Sequence, residues 1–423
     1  MRERWSHRNH KEAIASRQAR LRQLAGWQAD SECLFDWAVK SEQMGRYQEC
    51  LTGQVVLPVG VVGPMDIELG RYRTSEDGDV EEMERYRDSL YVPLAHTEGG
   101  LSTSMLRGMQ ATAESGGIRT YLLHNQMTRD CAFVFSSADH AVAFSRWISH
   151  NESALREWVN DPDNPLKSTE SGDGVSPLSS HATLLAISTR IVGPVCHVLY
   201  RFHTGEACGP NMTTRNAFSL NREIVERSSS MGYRPLHVFL EANLGGDKKP
   251  SYEYYAGGHG KTVLATATLT DAVLHHRLHI QASALQELEW VGLHGAHVSG
   301  MQSFAFTPAS AIAAIFAATG QDLGMVGTSS MAHGVVKRVP EGVTFSLQLG
   351  GIEVGTVGGG TSLPHAEAWL NLMGCKGPGS AERLAQIIAG AALALEVSAA
   401  SSMASRGSEN FFRAHLERGG LRS

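Results

Sequence analysis

Four short stretches of the chain carry groups able to move protons and negative charge around a carbonyl. Lys248 lies in the polar turn Gly245-Gly246-Asp247-Lys248-Lys249-Pro250, Glu98 in Thr97-Glu98-Gly99-Gly100, Asp322 in Gly320-Gln321-Asp322, and His415 in Arg413-Ala414-His415-Leu416. Together they offer an ammonium, a carboxylic acid, a second carboxylate and an imidazole. The pattern ends a helix at Gly320, so the Asp322 carboxylate faces the negative end of the helix dipole. A cationic partner or a functional role explains that placement. An exposed loop aspartate is the plain alternative for Asp322 taken alone.

Two glycine-rich stretches accompany these groups. Gly355-Thr356-Val357-Gly358-Gly359-Gly360-Thr361 follows a strand-like run and precedes a helix starting near Pro364. Its amides suit a phosphate or a closely approaching thioester, and a tight strand-to-helix turn explains it equally well. Gly205-Glu206-Ala207-Cys208-Gly209-Pro210-Asn211-Met212 reads on its own as a turn. Neither is the GxGxxG dinucleotide fingerprint.

The elements that must position these groups follow from periodicity. Residues 10–49 read as helical, with Ile14, Leu21, Leu24 and Trp27 on one face. Residues 55–64 are β-like, and the highly charged residues 71–88 read as an exposed insertion or linker. A helix rich in small residues covers 103–115. Residues 131–240 read as a compact α/β insert, with strands at 132–136, 184–191 and 196–202 and helices at 138–159 and 216–232. Residues 160–180 between them read as a loop. A strand at 262–269 and a helix at 273–289 follow. Thr307 N-caps the next helix with Pro308 at its first position. The apolar run 387–397 is too short for a membrane span and carries Glu396, so it reads as a buried helix.

Composition excludes several classes. Hydrophobic residues make up 42% and charged residues 19% of 423, as in a folded globular protein. The net charge of −6, from 37 basic and 43 acidic residues, gives no drive toward nucleic acid. The six cysteines are scattered without metal or redox spacing, and free thiols in the cytoplasm are expected. The charged start Met1-Arg2-Glu3-Arg4-Trp5 has no apolar signal core, and no membrane association is expected. The cluster His275-His276-Arg277-Leu278-His279 reads as a solvated helix face, and no metal is expected.

Seven segments in order give the chain a family resemblance. They are Leu57-Pro58-Val59-Gly60-Val61-Val62-Gly63-Pro64, Val92-Pro93-Leu94-Ala95-His96-Thr97-Glu98-Gly99, Gln126-Met127-Thr128-Arg129, Gly209-Pro210-Asn211-Met212, Asp247-Lys248-Lys249-Pro250, Ala318-Thr319-Gly320-Gln321-Asp322 and the 355–361 stretch. In these segments the chain resembles 3-hydroxy-3-methylglutaryl-coenzyme A reductase, nearer the class I branch but without the membrane anchor of its animal members. The resemblance implies an α/β (α+β) fold, with a large domain around a long central helix and an inserted smaller α/β dinucleotide-binding domain that is not a Rossmann fold. It implies an N-terminal, mainly helical region over 1–75, a large substrate- and CoA-binding domain over 76–130 and 247–423, and the insert over 131–246. It also implies a homodimer or homotetramer with active sites at subunit interfaces. The family reaction takes an acyl-CoA thioester through a hemithioacetal and an aldehyde to an alcohol, using two reduced nicotinamides.

Roles follow residue by residue from the resemblance. Lys248 matches the oxyanion-stabilising lysine and Glu98 the catalytic glutamate, whose pKa is expected to be raised by burial or by Asp322. Asp322 couples to both, and His415 matches the tail histidine that protonates the departing thiolate. Arg129, Gly209 and Asn211 match the dinucleotide site, and Glu206, Ala207 and Cys208 fall in it, with Glu206 where the family usually has an aspartate and Cys208 in place of a methionine. Ser104, Arg107, Asp247, Lys249 and Ser310 match positions near the substrate and coenzyme A. NADPH is the first reading of the cofactor, with NADH open because Ser180 stands where class I members place an arginine. The family lysine that pairs with the substrate's terminal carboxylate is missing from Gln286-Glu287-Leu288-Glu289. His294 and His297 are candidates to replace it, and a different acyl group is the alternative. A third reading is a non-catalytic homologue that binds CoA or dinucleotide.

Overall fold

The computed structural model describes residues 11–23, 35, 38–45, 47–74, 80–168, 176–232 and 234–417. Leu24 and Trp27 therefore lie outside the described residues.

The fold is mixed α/β. Its main sheet runs in the order β2 (Val80–Ala95), β1 (Val59–Thr74), β3 (Ile118–Val134), β7 (Gly260–Thr270), β9 (Gly342–Ile352), β8 (Ala332–Val339). Only β1 and β3 pair in parallel; the other neighbours are antiparallel. In β7 the pleat sends Val263, Ala265, Ala267 and Leu269 into the core. The opposite face carries cross-strand hydroxyl pairs, Thr266 with Ser346 at 2.9 Å and Thr268 with Thr344 at 3.1 Å.

The core forms around the Ser380–Ala404 helix, which buries nearly every residue it has. A helix apolar on all sides belongs inside a large core or in a membrane. Here 83% of its apolar window is buried within the fold, so the first applies. Small residues let its neighbours approach: a Cβ on Gly108 would stand 1.8 Å from Ala394 O, where the Leu101–Glu114 helix crosses it.

β3 serves two sheets. Residues up to Gln126 pair with β7, and from Met127 onward the same strand pairs with β5 (Val195–His203). β4 (Thr183–Val192) lies beyond β5, and β6 (His237–Phe239) pairs with the far end of β3. This smaller sheet packs with the Ala138–Asn160 and Pro210–Arg227 helices around a second core that includes Phe133, Phe144, Tyr200, Phe202 and Leu220.

Several expectations need correction. Residues 71–74 and 80–88 are not a linker: they belong to the antiparallel pair β1 and β2, and charges pair across the strands. Glu68 accepts from Arg87 at 2.8 Å and from Arg85 at 3.3 Å. Within the region expected to be mainly helical, β1 is instead a strand of the main sheet. The strand expected at 132–136 begins at Ile118. The single helix over 273–289 is two, Asp271–His276 and Ala282–Ser299, separated where His279 adopts φ 55. The helix expected at 216–232 starts six residues earlier at Pro210. Residues 160–168 include a short Pro165–Ser168 helix, and 169–175 lie outside the described residues. Thr307 precedes the Pro308–Thr319 helix but makes no side-chain cap. Its hydroxyl donates instead to the buried Glu396 carboxylate at 2.5 Å.

Candidate active site

Lys248 and Asp322 meet. Lys248 Nζ lies 2.6 Å from Asp322 Oδ2, with each side chain 47% exposed. Asp322 stands three residues past the Pro308–Thr319 helix, which ends on left-handed Gly320 as expected, and its Oδ1 accepts from Gly324 N at 2.9 Å. The cation expected to offset the helix dipole is therefore Lys248. Burial pushes the Asp322 carboxyl up, but the Lys248 hydrogen bond, the Gly324 amide and the Lys248 charge together leave it below its ordinary value. The hydrogen bond to Asp322 holds Lys248 above the ordinary lysine value. Ordinary values are about 3.9 and 10.4, so both groups keep their charge through the neutral range. An ion pair this exposed adds about 0–1 kcal/mol to stability. Folding therefore gives little reason for it.

Three segments converge beside this pair. Gln321 Oε1 accepts from Gly355 N at 3.0 Å and its Nε2 donates to Gly355 O at 3.0 Å. A Cβ on Gly355 would stand 2.4 Å from Cys208 N, and one on Gly360 would stand 2.6 Å from Gly320 O. These two glycines are required by backbone packing of the 206–208, 320–322 and 355–361 segments. Gly358 and Gly359 have φ 82 and 54 with open space at the Cβ position. Cys208 is packed against Met325, and burial pushes its thiol up to about 12, so it is no nucleophile.

Arg129 joins the second sheet to the Asp-Lys-Lys turn. Its guanidinium is buried, 2.5 Å from Glu241 and 3.2 Å from Asp247. Lys249 Nζ donates to Asp247 O at 3.2 Å and lies 3.8 Å from Glu241. Glu206 acts as a cap: its carboxylate accepts from Gly379 N at 2.6 Å, Ala381 N at 2.7 Å and Ser380 Oγ at 3.1 Å. It satisfies the first amides of the central helix, whose own N-cap, Gly379, has no side chain to do so. Ala207 bridges to Val357. Gly209 is left-handed at φ 96 and opens the Pro210–Arg227 helix, with Asn211 exposed in its first turn.

The remaining positions are spread more widely. Ser104 shares a hydrogen bond with Ser398 at 2.9 Å, and Arg107 donates to Ser398 Oγ at 3.0 Å and Ser398 O at 2.5 Å, tying their helix to the central one. Burial lowers the Arg107 pKa. Ser310 is half-buried in the first turn of the Pro308–Thr319 helix. Glu98 is exposed between β2 and the Leu101–Glu114 helix and makes no hydrogen bond or ion pair with another described residue. The burial expected for it is absent from the single chain. His415 lies on the exposed Glu409–Glu417 helix, its Nδ1 donating to Phe411 O at 2.9 Å, with no contact to Lys248, Asp322 or Glu98. His294 and His297 are both exposed on the Ala282–Ser299 helix. In the expected solvated histidine face, His276 pairs with Glu114 at 3.0 Å.

The family model described as hydroxymethylglutaryl-coenzyme A reductase matches residues 13–419. The chain belongs to the hydroxymethylglutaryl-coenzyme A reductase family. Among curated members, the 3-hydroxy-3-methylglutaryl-coenzyme A reductase of Aeropyrum pernix is 34% identical over 98% of this chain and 91% of its own length. That of Pyrococcus horikoshii is 31% identical over 89% and 84%. A solved structure of the class II reductase from Streptococcus pneumoniae, bound to NADPH in open conformations, shares the fold with TM-score 0.62, covering 94% of this chain and 98% of that one at 18% identity. In this family member the Asp-Lys-Lys turn and the Gly-Gln-Asp turn come together as an ion pair, whereas the glutamate and the tail histidine stand apart from it.

Sequence reasoning missed Glu241, His259 and Glu353. The one available signal was Glu353, a charge inside the apolar run Ile352-Glu353-Val354.

Proposed function

We propose that this chain reduces 3-hydroxy-3-methylglutaryl-CoA to mevalonate and free coenzyme A, consuming two NADPH and two protons. The observation that carries the reading is the 2.6 Å Lys248–Asp322 pair, half-exposed beside the three converging segments. Hydride attack on a thioester carbonyl builds negative charge on oxygen, and a fixed ammonium stabilises that charge. Asp322 orients Lys248, and Glu98 delivers the proton that turns the carbonyl oxygen into hydroxyl. NADPH, when bound, supplies the hydride. The Pro210–Arg227 helix N-terminus fits an anionic cofactor: Gly209 gives it no side-chain cap and Pro210 has no N–H, so the Asn211 and Met212 amides are left to point at a phosphate. Arg129 reaches the same turn, its guanidinium donating to Pro210 O at 3.5 Å. We place the dinucleotide on residues 131–246 and the acyl-CoA on 76–130 and 247–423, in the cytoplasm.

A homodimer or homotetramer completes the site in this reading. The exposed apolar residues Trp290, Val291, Leu293 and Val298, the last 87% exposed, support a second copy covering the Ala282–Ser299 helix. Glu98, exposed in one chain, gains its burial there.

Nicotinamide absorbance tests the reading, with hydroxymethylglutaryl-CoA and with a carboxylate-free acyl-CoA. Consumption with the first is expected. Consumption with only the second would support a different acyl substrate, the reading favoured by the absent lysine at 286–289. No consumption with either would leave a binding module. A separate assay addresses His415, the imidazole assigned to the departing thiolate, whose ordinary pKa near 8.5 it can meet at neutral pH. His415→Ala is expected to slow reduction of the thioester and to spare reduction of free mevaldehyde. Equal loss on both substrates would remove that role.

A further inference from the structure

The Asp-Lys-Lys turn holds an uncommon shape. Lys248 has φ 55 and Gly246 φ 77. A left-handed lysine is disfavoured and persists where its surroundings fix it. One side of that support is complete. Thr128 Oγ1 donates to Gly245 O at 2.6 Å, Arg129 donates to Asp247 Oδ2 at 3.2 Å, and Leu244 N donates to Asp130 Oδ2 at 3.0 Å.

The other side converges on a buried triplet. Asp247 Oδ1, His259 Nε2 and Glu353 Oε2 are each buried without a well-formed hydrogen bond among the described residues. They face one another: His259 Nε2 lies 3.2 Å from Glu353 Oε2, and one ligand atom from each of the three residues lies within 4.8 Å of the others. His259 and Glu353 are each 1% exposed. A buried polar atom is rarely left unpaired, so this meeting point has a purpose. His259 Nδ1 is engaged by Thr128, whose N lies 3.2 Å and whose Oγ1 lies 2.5 Å from it, which leaves Nε2 facing the two carboxylates. Asp247 already carries the Arg129 guanidinium, which disfavours a further cation at the same carboxylate.

Glu353 also reaches the segment that carries Asp322. Its Oε1 accepts from Tyr254 Oη at 3.0 Å and from the Thr328 hydroxyl, and its N–H donates to Ser329 Oγ at 3.1 Å. Thr328 and Ser329 belong to the Val326–Ser329 turn, directly after the Leu323–Met325 turn that Asp322 caps. Glu353 thus touches the arm bearing Asp322 and, with His259, faces the arm bearing Lys248.

We infer that Glu353 and His259 form an internal brace that sets the Lys248–Asp322 spacing, which makes both positioning residues for the reduction. The inference rests on the role given to Lys248 under the proposed function. Glu353→Gln keeps the side-chain shape and removes the carboxylate that faces His259 Nε2. It should lower kcat roughly 10²-fold, the cost of misplacing a catalytic group by about 1 Å, with KM for acyl-CoA and NADPH preserved. His259→Gln reads the same contact from the other side and serves if the first variant does not fold. The deciding measurement is a double-mutant cycle on kcat. In a Lys248→Ala background, either brace variant should cost nothing more, because the brace acts through the ammonium. A full further loss in that background would overturn the brace. Lys248→Ala without effect would instead sink the assignment of Lys248. Stoichiometric metal in the purified protein, lost in either brace variant, would overturn the brace in favour of a cation site.

Discussion

Lys248→Ala is expected to lower kcat by about 10²–10³-fold, the loss that follows removal of one principal oxyanion donor. The variant removes the positive nitrogen that meets the carbonyl oxygen as hydride arrives, and no neighbouring cation replaces it. Arg129 is buried and already shared between Glu241 and Asp247, and Lys249 leans toward Asp247 O and Glu241. Stability should barely change, because the Lys248–Asp322 pair is half-exposed and such pairs contribute about 0–1 kcal/mol. A thermal melt alongside the kinetics separates the two effects. Dinucleotide affinity should survive, since Lys248 lies outside the Gly209–Asn211 turn. Unchanged turnover would remove Lys248 from the mechanism.

Glu98→Gln is expected to lower kcat by about 10²–10⁴-fold, the range for losing a positioned general acid. Glutamine preserves size and hydrogen-bonding capacity but cannot give up a proton, so the loss reports proton transfer alone. The side chain is exposed and unpaired in the single chain, so a thermal melt of the assembled protein run alongside shows whether the interface proposed to bury it is disturbed. Both hydride steps end with an oxygen needing a proton, so reduction of free mevaldehyde should fall together with reduction of the thioester. That outcome distinguishes Glu98 from His415, whose loss should spare the aldehyde. Full activity of the glutamine variant on the aldehyde would assign the proton to another group.

What the sequence made legible was local. The end of the Pro308–Thr319 helix at Gly320 and the awkward carboxylate two residues later were both readable, and dipole logic asked for the cation that Lys248 supplies. Strands β4, β5 and β7 were readable from alternation and β-branched residues. Three kinds of feature were not. Glu206 caps a helix that begins far along the chain, and no spacing rule connects it to Gly379 and Ala381. His279 takes a left-handed backbone that breaks a helical pattern without a glycine or proline to mark it. The charged antiparallel pair β1 and β2 resembled a linker because its ion partners lie on the neighbouring strand, where composition cannot show the pairing. Glu98 and His415 were legible as chemistry, but one chain does not bring them to Lys248.

The most direct test is a structure of the assembled protein with acyl-CoA and oxidised dinucleotide bound. It should place the thioester carbonyl oxygen about 2.7–3.1 Å from Lys248 Nζ, the reach of an oxyanion donor, with Asp322 still paired to that nitrogen. A thioester oxygen turned toward other donors, with the Lys248 ammonium left in bulk water, would contradict the account.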